Sequence, residues 1–195
     1  MKGGILMGFI TTEQQLTTHF KSAEFRCTCG CKQIKIDAEF VQRLEKLYSK
    51  IDSLSCGCSA IYVSSGYRCD KDTARIQGAF KGDMHNIGAA ADICAYNSKH
   101  ELIDSKTLCE AAQLCGFGGI AVIDAAYIHV DDRQRAVFNY PKKQWYGNEM
   151  TGENYITFIG KSKYTNELNN TQPAAKKQIK VKIIIDDHEY SGLLE

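Results

Sequence analysis

The sequence predicts an α+β domain, a small antiparallel sheet with flanking helices, followed by a short β-rich C-terminal tail. Three observations predict it. Apolar residues recur at helical spacing over residues 36–51, short β-branched runs after them end in glycine-bearing loops, and the composition turns polar beyond Trp145. The 195 residues suffice for one real hydrophobic core plus an appendage.

The elements follow in order. "MKGGILMGFITTEQQ" has a short apolar patch but no long hydrophobic region and no small-residue cleavage site, so it reads as mature chain. Residues 1–15 are therefore taken as an N-terminal segment ahead of a domain expected over 16–148. "IDAEFVQRLEKLYSKI" sets Phe40, Val41, Leu44, Leu47, Tyr48 and Ile51 on one helical face, with Asp37 placed to cap it. "SAIYVSSGYR" reads as a strand ending in a functional loop at Gly66, and "ADICAY" as a second strand. "SKTLCEAAQLCGF" is a helix that presents Leu108, Ala111, Ala112 and Cys115 and stops at Gly116. "GGIAVIDAAYIHVDD" reads as two short strands about a turn near residues 124–126.

The polar stretch "GKSKYTNELNNTQPAAKK", with Pro173, predicts a linker over 149–176. Beyond it Ile179, Val181 and Ile183 alternate as in a strand, with "EYSGLL" as a pairing partner, giving a tail over 177–195. About twenty residues cannot bury a core alone. The tail must dock on the main domain, pair with a partner chain, or begin a further module.

A formal net charge of +1 lacks the one-signed field of a nucleic-acid binder. No apolar run approaches the roughly 20 residues of a transmembrane segment. The expectation is cytoplasmic synthesis without a signal peptide. Nine cysteines is a high count: "CTCGC" holds Cys27, Cys29 and Cys31, "CGC" holds Cys56 and Cys58, and Cys69, Cys94, Cys109 and Cys115 stand singly. A C-x-C pair holds two sulfurs awkwardly for one tetrahedral ion. These are expected to be small hydrophobic or loop thiols, with one or two disulfides after release and a structural metal as the less favoured alternative.

Chemistry concentrates in "GDMHNIGAAADI", which has His85 and Asp92 at its ends, and in "YIHVDD", where His129 and Asp131 share a strand face. Two imidazoles and a carboxylate, His85, Asp92 and His129, are enough to hold a zinc ion and leave a fourth position open. Gly88, Ala89, Ala90 and Ala91 would let the backbone pass closely enough for these side chains to converge.

"VSSGYRC", "DMHNIGAAADI" and "YIHVDDR", in this order, resemble the zinc D-Ala-D-Ala carboxypeptidases, the carboxypeptidase branch of peptidase family M15, whose relatives include phage endolysins. "LTTHFKSAEFRCTCGCKQIKIDAEFVQRLEKL" is similar to that branch's N-terminal part, so the resemblance covers about residues 16–145. It implies a hedgehog/D,D-peptidase-like architecture, Zn2+ as cofactor, a peptidoglycan peptide as substrate, and action on the cell wall after release. It also implies His85, Asp92 and His129 as metal ligands and Arg68 as the group that binds a substrate carboxylate or carbonyl, with Tyr67 and Asp83 beside it. Two positions depart from the pattern. Asp83 stands where relatives carry serine, and Ala126 stands where many carry the general base. Asp131 is therefore the expected base, in a histidine-x-aspartate form, with Asp124 in reserve. Ala126 keeps open a zinc-containing cell-wall-binding module that has lost its base, and the strand-like C-terminus keeps open a phage structural protein.

Overall fold

The computed structural model describes residues 8–53 and 57–159, and the backbone of two strands at 179–185 and 188–194. The fold is α+β. A first strand, β1 (Phe9–Ile10), pairs antiparallel with β2 (Ile36–Asp37), which leads into helix α1 (Ala38–Ile51). Phe40, Val41, Leu44, Leu47 and Ile51 form the buried face of α1, and the Asp37 carboxylate accepts a hydrogen bond from the Phe40 amide at 2.9 Å. That bond satisfies one of the amides left unpaired at a helix start.

The main sheet has six strands: β3 (Cys58–Ser65), β4 (Ala90–Asn97), β5 (Gly119–Val122), β6 (Ile128–Asp131), β7 (Trp145–Asn148) and β8 (Asn154–Tyr155), in the order β3-β4-β6-β5-β7-β8. It is mixed and larger than expected, because β7 lies parallel to β5. Two short helices, α2 (Asp70–Thr73) and α3 (Met84–Ile87), fall between β3 and β4, and α4 (Ser105–Leu114) precedes β5. α1 packs on α4, and α4 packs on β4, β5 and β6. The sheet face bearing Ala91, Ile93, Ile120, Ile128 and Val130 is fully buried in this core.

Strand register fixes what the opposite face carries, since side chains alternate. Asp92 of β4 is paired with His129 of β6, His129 with Ala121 of β5, and Ala121 with Gly147 of β7. The next row on that face is Ala90, Asp131, Gly119 and Trp145. The small residues at the centre of these rows leave room above the sheet for the histidine and the carboxylates.

Among the described residues burial is found on either side of residues 16–148: Ile10 is buried, and β8 with the buried Phe158 lies beyond residue 148. β9 (Ile179–Ile185) and β10 (His188–Leu194) pair antiparallel as a two-stranded sheet, with Ile179 opposite Leu194 and Ile185 opposite His188. Most of the expected linker, residues 160–176, lies outside the described residues. Among the described residues no helix is long and apolar enough to cross a membrane.

Candidate metal centre

His85 reaches the site from α3, a single turn set between two defined ends. Asp83 caps it, its carboxylate accepting from the Asn86 amide at 2.8 Å, and Gly88 ends it with φ +90°. The left-handed conformation favours glycine, and a side chain there would also strike the Lys35 carbonyl oxygen at 2.5 Å. Serine and aspartate are both good caps. Asp83 therefore does as a cap what a serine at that position would do, and it also borders the cleft.

Three atoms meet at the floor of that cleft. His85 Nε2 lies 3.2 Å from Asp92 Oδ1 and 3.1 Å from His129 Nδ1, and His129 Nδ1 lies 3.0 Å from Asp92 Oδ1. The outer atoms of the same groups are engaged elsewhere. His85 Nδ1 is 2.7 Å from the Gly66 carbonyl, which can only accept, so Nδ1 carries the proton and Nε2 presents its lone pair. His129 Nε2 donates to Asp131 Oδ2 at 3.0 Å, turning Nδ1 inward. Arg68 Nη2 donates to Asp92 Oδ2 at 2.5 Å, leaving Oδ1 for the cluster.

Two imidazole lone pairs and a carboxylate oxygen facing one another at this range repel unless a cation sits among them. Without a metal the cation is a proton. Burial opposes charge on His129, but the hydrogen-bonding carboxylates of Asp131 and Asp92 outweigh it and lift its pKa from 6.5 to about 9. Burial also opposes the charged carboxylates, yet the two imidazoles carry Asp92 far below the carboxylate range. Tetrahedral zinc with bonds of about 2.0–2.1 Å spaces its ligands by about 3.3 Å. The observed triangle fits such an ion with little adjustment.

Asp131, the expected base, shares the face of His129, as its strand position requires, but its carboxylate lies on the far side of the His129 ring from the three converging atoms. It is fully buried and gripped by Arg133, whose Nε lies 2.9 Å from both carboxylate oxygens. His129 and Arg133 overcome the burial that would raise its pKa and bring it down to about 2. A side chain at Gly119, opposite in the sheet, would overlap this carboxylate. Asp124 is also elsewhere. It is an exposed turn residue whose carboxylate accepts from the Ala126 and Tyr127 amides at 2.8 and 2.7 Å. Tyr67 faces a different depression, with Thr11 and Lys32–Lys35.

The cleft, about 630 Å³ in volume, brings in groups that the sequence did not single out: Phe80, Tyr140, Lys142, Trp145 and Glu149. The Trp145 ring lies 6.0 Å from that of His129, and the Arg133 guanidinium sits 5.0 Å from Trp145 and 5.2 Å from Tyr140. Glu149 follows β7 and is exposed. Arg133 continues the alternation from His129 and Asp131, a local signal. Glu149 has no such signal, because the parallel β5–β7 pairing brings it in from twenty residues downstream.

No curated protein and no solved structure matches the chain. A family model described as Peptidase M15 matches residues 18–131, more than half of the sequence, and that span contains Arg68, His85, Asp92, His129 and Asp131. With the converging histidine and aspartate atoms lying inside the matched region, the chain belongs to the peptidase M15 family.

Proposed function

We propose that the protein is a zinc-dependent peptidase of cell-wall peptidoglycan, hydrolysing stem or cross-bridge peptides in the manner of a phage or prophage endolysin after release from the cell that makes it. The observation that carries this reading is the triangle of His85 Nε2, Asp92 Oδ1 and His129 Nδ1 at the floor of an open cleft. The sequence resemblance supports the choice of substrate and of zinc.

His85, Asp92 and His129 hold the metal, which when bound polarises a scissile carbonyl and acidifies water. Gly66, Asp131 and Arg68 fix the ring and carboxylate orientations from behind. Glu149 serves as general base: it takes the proton of the attacking water and returns it to the leaving amine. Trp145 and Gly147 of β7 lie on the face that carries His129, Glu149 follows the strand and lines the same cleft, and its amide bonds to Val122, which is paired with Ile128. That end of the sheet is also where Ala126 leaves the expected carboxylate missing. Arg68 lines the cleft and, beyond its bonds to Asp92 and Ser65, has donors left with which to bind a substrate carboxylate or carbonyl.

Wild-type protein should release muropeptide fragments from purified sacculi, stop on chelation and recover with zinc. Mass spectrometry of the fragments identifies the bond, and so separates carboxypeptidase from endopeptidase action. His85→Ala, Asp92→Ala and His129→Ala should each lose the ion and the activity. Full zinc content in all three folded variants would refute the assignment of the centre, and folded, zinc-loaded wild type that leaves sacculi intact would refute the substrate.

A further inference from the structure

A second cluster of ligand-type side chains lies outside this centre. Cys27, Cys29 and Cys31 lie on the loop after the 3-10 turn Ser22–Phe25, and Cys69 is the N-cap of α2. Their four sulfurs all lie within 4.8 Å of one another. Cys29 Sγ is 3.4 Å from Cys27 Sγ and 3.6 Å from Cys69 Sγ. An extended C-x-C-x-C segment would spread its outer sulfurs over about 13 Å. Here Gly30, between Cys29 and Cys31, has φ +86°, and the loop curls so that the three sulfurs come together. The awkwardness expected of C-x-C spacing is removed by that curl and by a fourth sulfur from forty residues downstream.

We propose that Cys27, Cys29, Cys31 and Cys69 hold a second metal ion, a zinc bound by four thiolates, separate from the histidine and aspartate centre. A tetrahedral zinc with Zn–S bonds of about 2.3 Å places its sulfurs about 3.8 Å apart, a scale met by the 3.4 and 3.6 Å separations about Cys29 and by the 4.8 Å that bounds all four. A disulfide pairs sulfurs two by two at about 2.05 Å, whereas Cys29 stands nearly midway between two neighbours. The Cys69 amide donates to Cys27 Sγ at 3.4 Å, an N–H···S bond of the kind that supports a thiolate ligand. Asp72, 3.5 Å from Cys27 Sγ, has its charge met by Arg75 at 3.0 Å. Binding expels the thiol protons and involves no change of oxidation state.

Four protein ligands leave no open position, so the ion is structural. Its place gives it a task. Cys69 follows Arg68, whose guanidinium holds Asp92, so the ion ties the N-terminal segment to the loop that aligns a ligand of the other centre. Cys31 is the exposed member of the set, which makes it the least disruptive to change.

The full chain, purified reduced and loaded with zinc or cobalt, tests this. Wild type should carry a second equivalent of zinc, and its cobalt form should show an intense thiolate-to-metal charge-transfer band in the near ultraviolet. His85→Ala should lose one equivalent and keep the band. Cys31→Ser should bind the second ion at least about tenfold more weakly, show the band at reduced intensity when saturated, and keep the histidine-bound ion. A cobalt form of wild type without that band overturns the proposal, and so does an intact mass that shows disulfides among these four cysteines in the folded protein. If Cys31→Ser fails to fold, the wild-type spectrum and mass still decide. Loss of the histidine-bound ion alone bears on the proposed function, and absence of the thiolate band alone bears on this site.

Discussion

The Asp131 carboxylate is held between His129 and Arg133 with no exposed surface, which on the proposed reading makes it a positioning residue and leaves the base to Glu149. Asp131→Asn should fold and bind zinc about ten- to a hundredfold more weakly, the usual effect of removing a partner behind a ligand. In the chelated protein the depressed Asp131 pKa contributes stability that is present above about pH 4 and is lost as the pH falls through about 2. The stability gap between wild type and Asp131→Asn should therefore be on the order of 2 kcal/mol at neutral pH and shrink toward pH 2. Glu149→Gln should keep zinc affinity and lose about a hundredfold or more in kcat. Unchanged zinc affinity with a hundredfold loss in Asp131→Asn, beside an active Glu149→Gln, would return the base to Asp131.

At the scale of elements, the centre depends on three backbone arrangements: the paired rows of β4, β6 and β5, the single turn of α3, and the parallel strand β7. The first was legible in the sequence, because alternation along "YIHVDD" and "ADICAY" already assigns His129 and Asp92 to faces, and α1 was legible because six apolar residues repeat at helical spacing. α3 was not, since four residues cannot show a period; only its cap Asp83 and its stop Gly88 mark it. β7 escaped because a parallel partner leaves no hairpin signature between itself and β5. Gly88 tests how much α3 is constrained. Gly88→Ala meets both a left-handed backbone and the Lys35 carbonyl, whereas Gly82→Ala meets the same backbone conformation with open space around it. Gly82→Ala should cost about 1–2 kcal/mol, the price of the conformation alone. Gly88→Ala should cost at least about 2 kcal/mol more by urea denaturation and weaken zinc binding, because His85 moves with the turn. Equal losses in the two variants would mean that the close approach to Lys35 carries no weight.

Over the whole molecule, the family match ends at Asp131, yet the core does not. β8 pairs Tyr155 with Tyr146, and Phe158 packs its ring 5.4 Å from that of Tyr155 and 5.7 Å from that of Tyr146. The Phe158 amide donates to Gln113 Oε1 of α4 at 2.6 Å, which closes this corner against the helix layer. The sequence placed the domain edge at residue 148 because polarity rises there, but an edge strand needs only a few buried side chains, and the short run "NYITFI" is too brief to establish a period. On the proposed reading the corner also supports the base, since β7 lies between it and the cleft and Glu149, which lines the cleft, begins the β7–β8 connection. Phe158→Ala should therefore cost about 3–5 kcal/mol, as for other buried aromatics, and lower kcat more than zinc affinity because Glu149 loses its footing before the ligands do. Met150→Ala, in the same connection but 72% exposed, should stay within about 0.5 kcal/mol of wild type. Urea denaturation monitored by circular dichroism, with zinc titration and turnover on the same samples, checks all three quantities. A Phe158→Ala chain as stable as wild type would place the structural edge back near residue 148, and a destabilised chain with unchanged kcat would detach Glu149 from the support assigned to it.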